Sequence, residues 1–194
     1  MDVFEAIRER RSIKRFLARP VGREEIERVL EAAVLAPNHR LTQPWGFVVL
    51  GPEAKRRYAE IRARLKTGGV AVEKAEEKRS RIIEETLEIP QVIAVTSFVD
   101  ADPETREEDY AATWMAIQNL LLAATALGLG TKVVTGDVIR DDEMRMALGV
   151  ERDHRIVAFI HMGVAAEVPA PKRRIPAAEK TRWLKPPSSS HRRP

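Results

Sequence analysis

From Tyr110 to Thr131 the chain runs for 22 residues without a charged side chain. In a chain whose charged residues reach 32%, that stretch dominates what can be built around it. A helix that is apolar on every side has to be covered on every side, by lipid or by other elements of the same protein. Its length would suffice to cross a bilayer. Against that, Thr113, Gln118, Asn119 and Thr125 interrupt it, alanine is abundant, and no second segment of the kind exists. It is read as a buried central helix of a water-soluble fold, and no membrane role is expected.

Elements of both types surround it. Apolar spacing predicts helices over Val3–Glu9 and Arg23–Ala36, the second with an Ile26, Val29, Leu30, Ala33 stripe and a stop at Pro37. Trp45–Leu50 and Gln91–Phe98 read as buried strands, the first entered through Pro44 and left through Gly51-Pro52. Residues 53–88 are helical in pattern, broken at Gly68-Gly69, and so charged that a solvated helical excursion is expected. The long helix is placed at Glu108–Leu127, capped by Gly128. A strand at Thr131–Thr135, a helix at Asp141–Leu148 and a strand at Arg155–Met162 complete the core. Prolines crowd the chain from Ala166 onward, so 166–184 reads as an extended arm and 185–194 as a disordered tail. The fold class is therefore α+β: one domain over residues 1–180, with helices flanking a small sheet.

Several chemistries are excluded. There is no cysteine, hence no disulfide, thiolate metal site or cysteine nucleophile. Nothing calls for an oxidising compartment, and the first residues lack a signal-peptide layout, so a cytoplasmic location is expected. The net charge of +4 invites a nucleic-acid reading. Yet residues 172–194 hold eight basic side chains and one acidic, which leaves the rest of the chain slightly acidic. With aromatics at only 5%, no nucleic-acid partner is expected. Phosphate-loop, HExxH and GxSxG motifs are missing, and Gly128-Leu129-Gly130 follows a helix where a dinucleotide fingerprint would follow a strand. The four histidines share no metal-ligand spacing, and His161, inside a strand, reads as structural.

What remains is concentrated positive charge. Arg10-Arg11-Ser12-Ile13-Lys14-Arg15 follows the first helix directly, and Lys172-Arg173-Arg174 lies in the proline-rich arm. Such groups repel one another unless water screens them or an anion binds, and arginine forks match phosphate. Both readings stand on the residues alone: two solvated patches, or two clusters converging on one phosphate. The polar turn Ala36-Pro37-Asn38-His39-Arg40-Leu41-Thr42-Gln43-Pro44, stiffened by prolines, is a candidate ligand edge.

Four pieces in order then carry a resemblance: RRSIKRF, APNHRLTQPW entering an apolar strand, EDYAATWMAIQNLLLAATALGLGTKVVTG, and MGVAAEVPAPKRRIP. Together, over roughly residues 1–180, the chain resembles the flavin-dependent nitroreductase family, most closely its compact NAD(P)H branch. The resemblance implies a mixed sheet flanked by helices, a domain-swapped type of C-terminal arm, and a homodimer with FMN at the interface. It further implies that Arg10, Arg11 and Ser12 hold the FMN phosphate and ribityl chain, with Lys172 and Arg174 as a second phosphate contact. Lys14 falls at the pyrimidine end of the ring. Val133, Val134, Thr135 and Gly136 lie along the ring, with the Gly136 N–H addressing N5. Pro37, Asn38 and His39 match a loop reaching the partner's flavin. A ring-side lysine supplied after residue 60 corresponds to Lys66, Lys74 or Lys78. Two positions depart from the family pattern: Leu41 replaces an asparagine, and Thr135 stands where some members carry glutamate. The implied activity is hydride transfer from NAD(P)H through FMN to a small flat acceptor such as a nitroaromatic or quinone, with no side-chain catalyst. The alternatives are a non-catalytic flavin-storage or anion-binding protein, and a specialised member of the superfamily such as a reductive dehalogenase or flavin-fragmenting enzyme.

Overall fold

The computed structural model describes residues 1–69 and 71–184; the expected disordered tail, 185–194, lies outside the described residues. Helices α1 (Val3–Glu9) and α2 (Arg23–Val34) precede strand β1 (Trp45–Val49). Helices α3 (Pro52–Thr67) and α4 (Val72–Leu87), strand β2 (Gln91–Phe98) and helix α5 (Pro103–Ala126) follow. Then come β3 (Gly130–Val134), α6 (Asp142–Ala147), β4 (His154–Gly163) and a short α7 (Ala177–Lys180). The sheet order is β1-β2-β4-β3, with every ladder antiparallel. A parallel bridge from Ser12 to Thr131 gives the β3 edge its mixed character.

The sheet is covered on both faces, as its two-residue alternation requires. Ile93, Val95, Val157, Ile160 and Met162 face α2 and α5, meeting Val29, Ala33, Ile117 and Leu120. Val92, Ala94, Ile156 and Phe159 face the other way, onto Tyr58 and Ile61 of α3 and Met144 of α6. Tyr58 stacks on Phe159 with ring centroids 4.4 Å apart.

That second layer corrects the expectation of a solvated excursion over 53–88. Tyr58, Ala59, Ile61 and Ala63 are all buried, and so is Ile82 of α4. Helix α3 is one wall of the core, and most of its charges lie on its outer side, with Lys55, Arg62 and Lys66 at the margins of the buried face. The long helix is present but begins earlier, because Asp102 accepts a hydrogen bond from the Thr105 N–H at 2.8 Å and Pro103 fits the first turn. It ends where Gly128 turns left-handed (φ 76°) and Leu129 N–H returns to the Ala124 carbonyl at 2.8 Å. Burial is one-sided in the single chain. Ala112, Ala116, Ile117, Leu120 and Ala124 are covered, whereas Met115 stays 42% exposed. No described helix is long and apolar enough to cross a membrane.

Candidate functional site

The basic segment after α1 is laid along the edge strand. Ser12 bridges to Thr131, and the Ile13 N–H donates to the Thr131 carbonyl at 2.8 Å. This approach needs Gly130, since a Cβ there would stand 2.5 Å from Ile13 Cγ1. Arg11 is half-buried, donates through Nη1 to the carbonyls of Arg8 and Arg10, and keeps a buried Nε without a partner. Among the described residues Arg10, Arg11 and Lys14 form no ion pair.

Further along β3 a cavity of about 180 Å³ opens between the strand's end and α3. Arg62, Leu65 and Lys66 line it from the helix, and Val134, Thr135, Gly136, Asp137 and Val138 from the chain leaving the strand. Gly136 adopts φ 96°, ψ −151°, a backbone conformation reserved for glycine, in an exposed position open to a ligand. The field here is positive. Partial burial lowers the Lys132 ammonium pKa, and the charges of Arg62 and Lys14 lower it further. Lys66 is lowered in the same way, by burial first and then by Arg62, Lys132 and Lys78, with only Glu85 acting to raise it.

Beneath these cations the Tyr58 hydroxyl meets His161 Nε2 at 2.9 Å in the core. Burial pushes the His161 pKa down to about 3, helped by Arg62, Lys132 and Lys66. Burial also pushes the tyrosine up, so the phenol stays protonated and the hydrogen bond joins two neutral groups. His161 is thus a support for the cationic wall, in keeping with its expected structural role.

The turn after α2 stands elsewhere, against the first turns of α5. His39 Nδ1 pairs with Glu108 at 2.8 Å, and Thr42 Oγ1 donates to Asp109 Oδ1 at 2.5 Å. Asn38 Oδ1 accepts from the Gln43 N–H at 3.0 Å. Arg40, Leu41 and Gln43 all have left-handed φ values, 56°, 53° and 46°. Side chains rarely tolerate that, and strain of this kind collects at functional loops. Leu41 points outward, 77% exposed.

The single chain therefore joins Arg10, Arg11, Ser12 and Lys14 with β3 and its exit, Val133 to Gly136. It does not join Pro37, Asn38 and His39, or Lys172 and Arg174, to that edge by any hydrogen bond or ion pair among the described residues. Lys172 and Arg174 lie exposed on the arm, Arg174 donating only to the Lys172 carbonyl at 3.4 Å. The arm's root does run beside the basic segment, through Ala166 N–H to the Arg15 carbonyl and the Arg15–Glu167 ion pair. Of the three lysines left open, Lys66 lines the cavity. Arg62 and Lys132 were missed by sequence reading. The available signals were the four-residue spacing of Arg62 and Lys66 on one helix face, and a single charge inside an otherwise uncharged strand.

Two other groupings are weaker. A cavity of about 360 Å³ is lined by Tyr110, Arg140, Asp141, Arg145 and Arg155 among others. Its acidic groups are paired, Asp141 with Arg64 of α3 at 2.7 Å and Asp142 with Arg145 at 3.7 Å, while Arg155 lies 3.9 Å over the Tyr110 ring. Glu151, Asp153 and His154 could offer three ligand atoms to a metal, but the two carboxylates are exposed and Asp153 already pairs with His154 at 2.9 Å.

Comparison with known proteins identifies the family and the fold. A model of the nitroreductase family matches residues 7–164. The Bacillus subtilis protein named "Putative NAD(P)H nitroreductase YfhC" is 32% identical, over 90% of both chains. The crystal structure of a nitroreductase-like family protein from Bacillus cereus superposes with a TM-score of 0.83 at 28% identity, covering 96% of this chain and 97% of that one. A Desulfovibrio desulfuricans structure, described as a "putative nitroreductase in complex with FMN", gives 0.74 at 27% identity, covering 96% and 99%.

Proposed function

The chain belongs to the nitroreductase family, and on that premise we propose that it is an FMN-dependent oxidoreductase carrying hydride from NAD(P)H to a small flat acceptor, a nitroaromatic or a quinone. One observation carries the reading: a row of cations and donors with no carboxylate paired to them among the described residues, from Arg10 and Arg11, whose Nε is buried without a partner, through Ser12 and Lys14 to the Gly136 amide, laid along a single strand edge. The residues present fit FMN. The orphaned Arg11 Nε and the unpaired Arg10 suit a dianionic phosphate, the Ser12 hydroxyl suits the ribityl chain, and glycine at 136 leaves the backbone bare where a ring edge could approach. When bound, FMN supplies the redox chemistry, accepting hydride from the nicotinamide and delivering it to the acceptor.

The protein's own work is placement and charge. Lys14 and Lys66 hold negative charge at the pyrimidine edge, and the Gly136 N–H orients the ring's reacting side. Val133 and Val134 present apolar surface along the ring. Lys172 and Arg174 give the second phosphate contact once the arm is seated, and Pro37, Asn38 and His39 complete the site of a partner protomer, so the working unit is a homodimer. No described side chain has to move a proton, since solvent reaches the exposed Thr135–Gly136 end of the site.

The purified protein should show the absorption bands of oxidised flavin, and anaerobic NADH or NADPH should bleach them. Replacing both Arg10 and Arg174 by alanine removes two charge-assisted contacts of about 1.5–3 kcal/mol each, so FMN affinity should fall by about two to four orders of magnitude. A colourless protein that takes up no added FMN would overturn the cofactor assignment. A folded double variant that keeps its full flavin would overturn the phosphate site.

A further inference from the structure

The turn after α2 keeps a costly shape with few ties to the rest of the chain. Arg40, Leu41 and Gln43 take left-handed φ values that residues with a Cβ rarely adopt. Several of the turn's hydrogen bonds close on the turn itself. Asn38 Nδ2 donates to the Ala36 carbonyl at 3.4 Å, the Gln43 N–H to Asn38 Oδ1 at 3.0 Å, and the Thr42 N–H to the His39 carbonyl at 3.3 Å. Among the described residues, the polar contacts that tie 37–43 to another element are two, and both end on adjacent residues of α5. The His39–Glu108 pair is open to water on both sides, so it holds the turn weakly. The other contact, Thr42 Oγ1 donating to Asp109 Oδ1 at 2.5 Å, ends on a carboxyl that is only 2% exposed.

Asp109 is the exception in its surroundings. One and two turns further along the same side of α5 stand Ala112, Thr113 and Ala116, all buried. Asp109 forms no ion pair among the described residues, and its Oδ2 is buried without a partner. Burying a carboxyl against a single donor costs free energy, and a small apolar residue would fill this helix position without that cost. The side chain that the carboxyl does answer is Thr42. Helix α5 is itself fixed in the core by Ile117, Leu120 and Ala124, so it is a firm base against which to hold a strained turn.

Resting on the reading that Pro37, Asn38 and His39 complete the flavin site of a partner protomer, we propose that Asp109 is a positioning residue, which locks the turn through Thr42 and so sets where those three residues meet the neighbouring flavin. Without the lock the turn relaxes towards ordinary backbone conformations, and the dimer binds FMN less tightly while the rest of the fold stays in place.

The test measures the FMN affinity of the full-length protein together with the rate at which trypsin cuts after Arg40 in its flavin-free form. Thr42→Val removes the donor. It should weaken FMN binding by at least about tenfold, the scale of one charge-assisted contact, and speed the cut at Arg40 by a similar factor. Thr42→Ser keeps the hydroxyl and should match the parent in both. Thr42→Val also leaves a buried carboxyl with no partner, so its stability falls as well. Combining it with Asp109→Leu removes both partners, which should return the urea midpoint to the parent's while FMN stays weakly bound. The same double variant serves if Thr42→Val alone does not fold. A double variant that regains both stability and FMN affinity would make the contact merely structural and overturn the proposal. Cutting at Arg40 no faster than in the parent would overturn it too, because Asp109 would not be holding the turn. Faster cutting with unchanged FMN affinity would remove the turn from the flavin site, overturning the proposal while leaving FMN dependence intact. A parent protein that takes up no FMN would overturn the underlying reading and the proposal with it.

Discussion

At the scale of single residues the most consequential pair is the one farthest from solvent. Tyr58 and His161 bridge α3 to β4 through one hydrogen bond, and both are almost wholly covered. The imidazole must stay neutral, because burial and the cations above it push its pKa down to about 3, whereas in the unfolded chain it returns to about 6.5. Between those values the unfolded state takes up a proton that the folded state refuses. Stability from this residue is therefore complete above about pH 6.5 and is lost as pH falls toward 3. Asp102, Asp141, Glu25 and Glu167 also have lowered values, but as carboxylates their contributions persist until pH falls below about 4.5. The window from about pH 4.5 to 6.5 thus isolates His161 from them. Going from pH 7 to 5 should cost the parent protein about 2 kcal/mol from this one residue, measured by urea denaturation. His161→Gln should be less stable at pH 7 yet show a flatter profile over that window. Parallel profiles for the two proteins would mean that the buried imidazole is not what responds.

At the scale of elements the sequence was legible wherever a segment is either wholly buried or sharply bounded. Gln91–Phe98 is read with its true limits because it is apolar on both faces and stands just after Pro90. The Gly128 stop of the long helix is equally plain, since only a left-handed residue can close that turn. Helix α3 misleads for a physical reason. Lys55, Arg56, Arg57, Glu60, Arg62, Arg64 and Lys66 swamp a buried stripe consisting of only Tyr58, Ala59, Ile61 and Ala63. Two of those four are alanines, which signal burial weakly. If α3 is a core wall, Ile61→Ala should cost about 2–5 kcal/mol. Arg81→Ala, on the exposed side of α4, should stay within about 0.5 kcal/mol of the parent. Equal, small effects at both positions would restore the solvated excursion. The candidate site shows the same contrast. Its N-terminal cations are adjacent in sequence and visible there, whereas Arg62 stands beside Val134 and Gly136, far along the chain, only because α3 covers the end of β3.

At the scale of the whole molecule, the proposed site reaches beyond a single chain. Helix α1 packs on α5, yet Phe4 stays 69% exposed and Ile7 52%, and Met115 opens from the uncharged stretch of α5. The arm from 166 to 184 is exposed throughout, with Ile175, Trp183 and Leu184 uncovered. Exposed Phe4, Ile7 and Met115 on two helices packed together make a poor face to leave in water, and a second copy of the chain is the partner the proposed site requires. The loop at Pro37–His39 is pinned against α5, away from its own basic edge, which is where a residue meant for a neighbour's site would be held. Changing Phe4 and Met115 together to glutamate puts two charges into that face on each protomer, and each lost apolar side chain is worth about 1.5–3 kcal/mol of burial. Sedimentation should then shift from dimer to monomer at micromolar concentration, while the circular dichroism of the fold persists because neither side chain belongs to the buried core. Flavin should be lost along with the dimer, because the loop and the arm would have no neighbour to complete. A double variant that still sediments as a dimer would place the interface on another face. A monomer that keeps its flavin would show that Arg10, Arg11, Ser12 and Lys14 hold the cofactor within one chain.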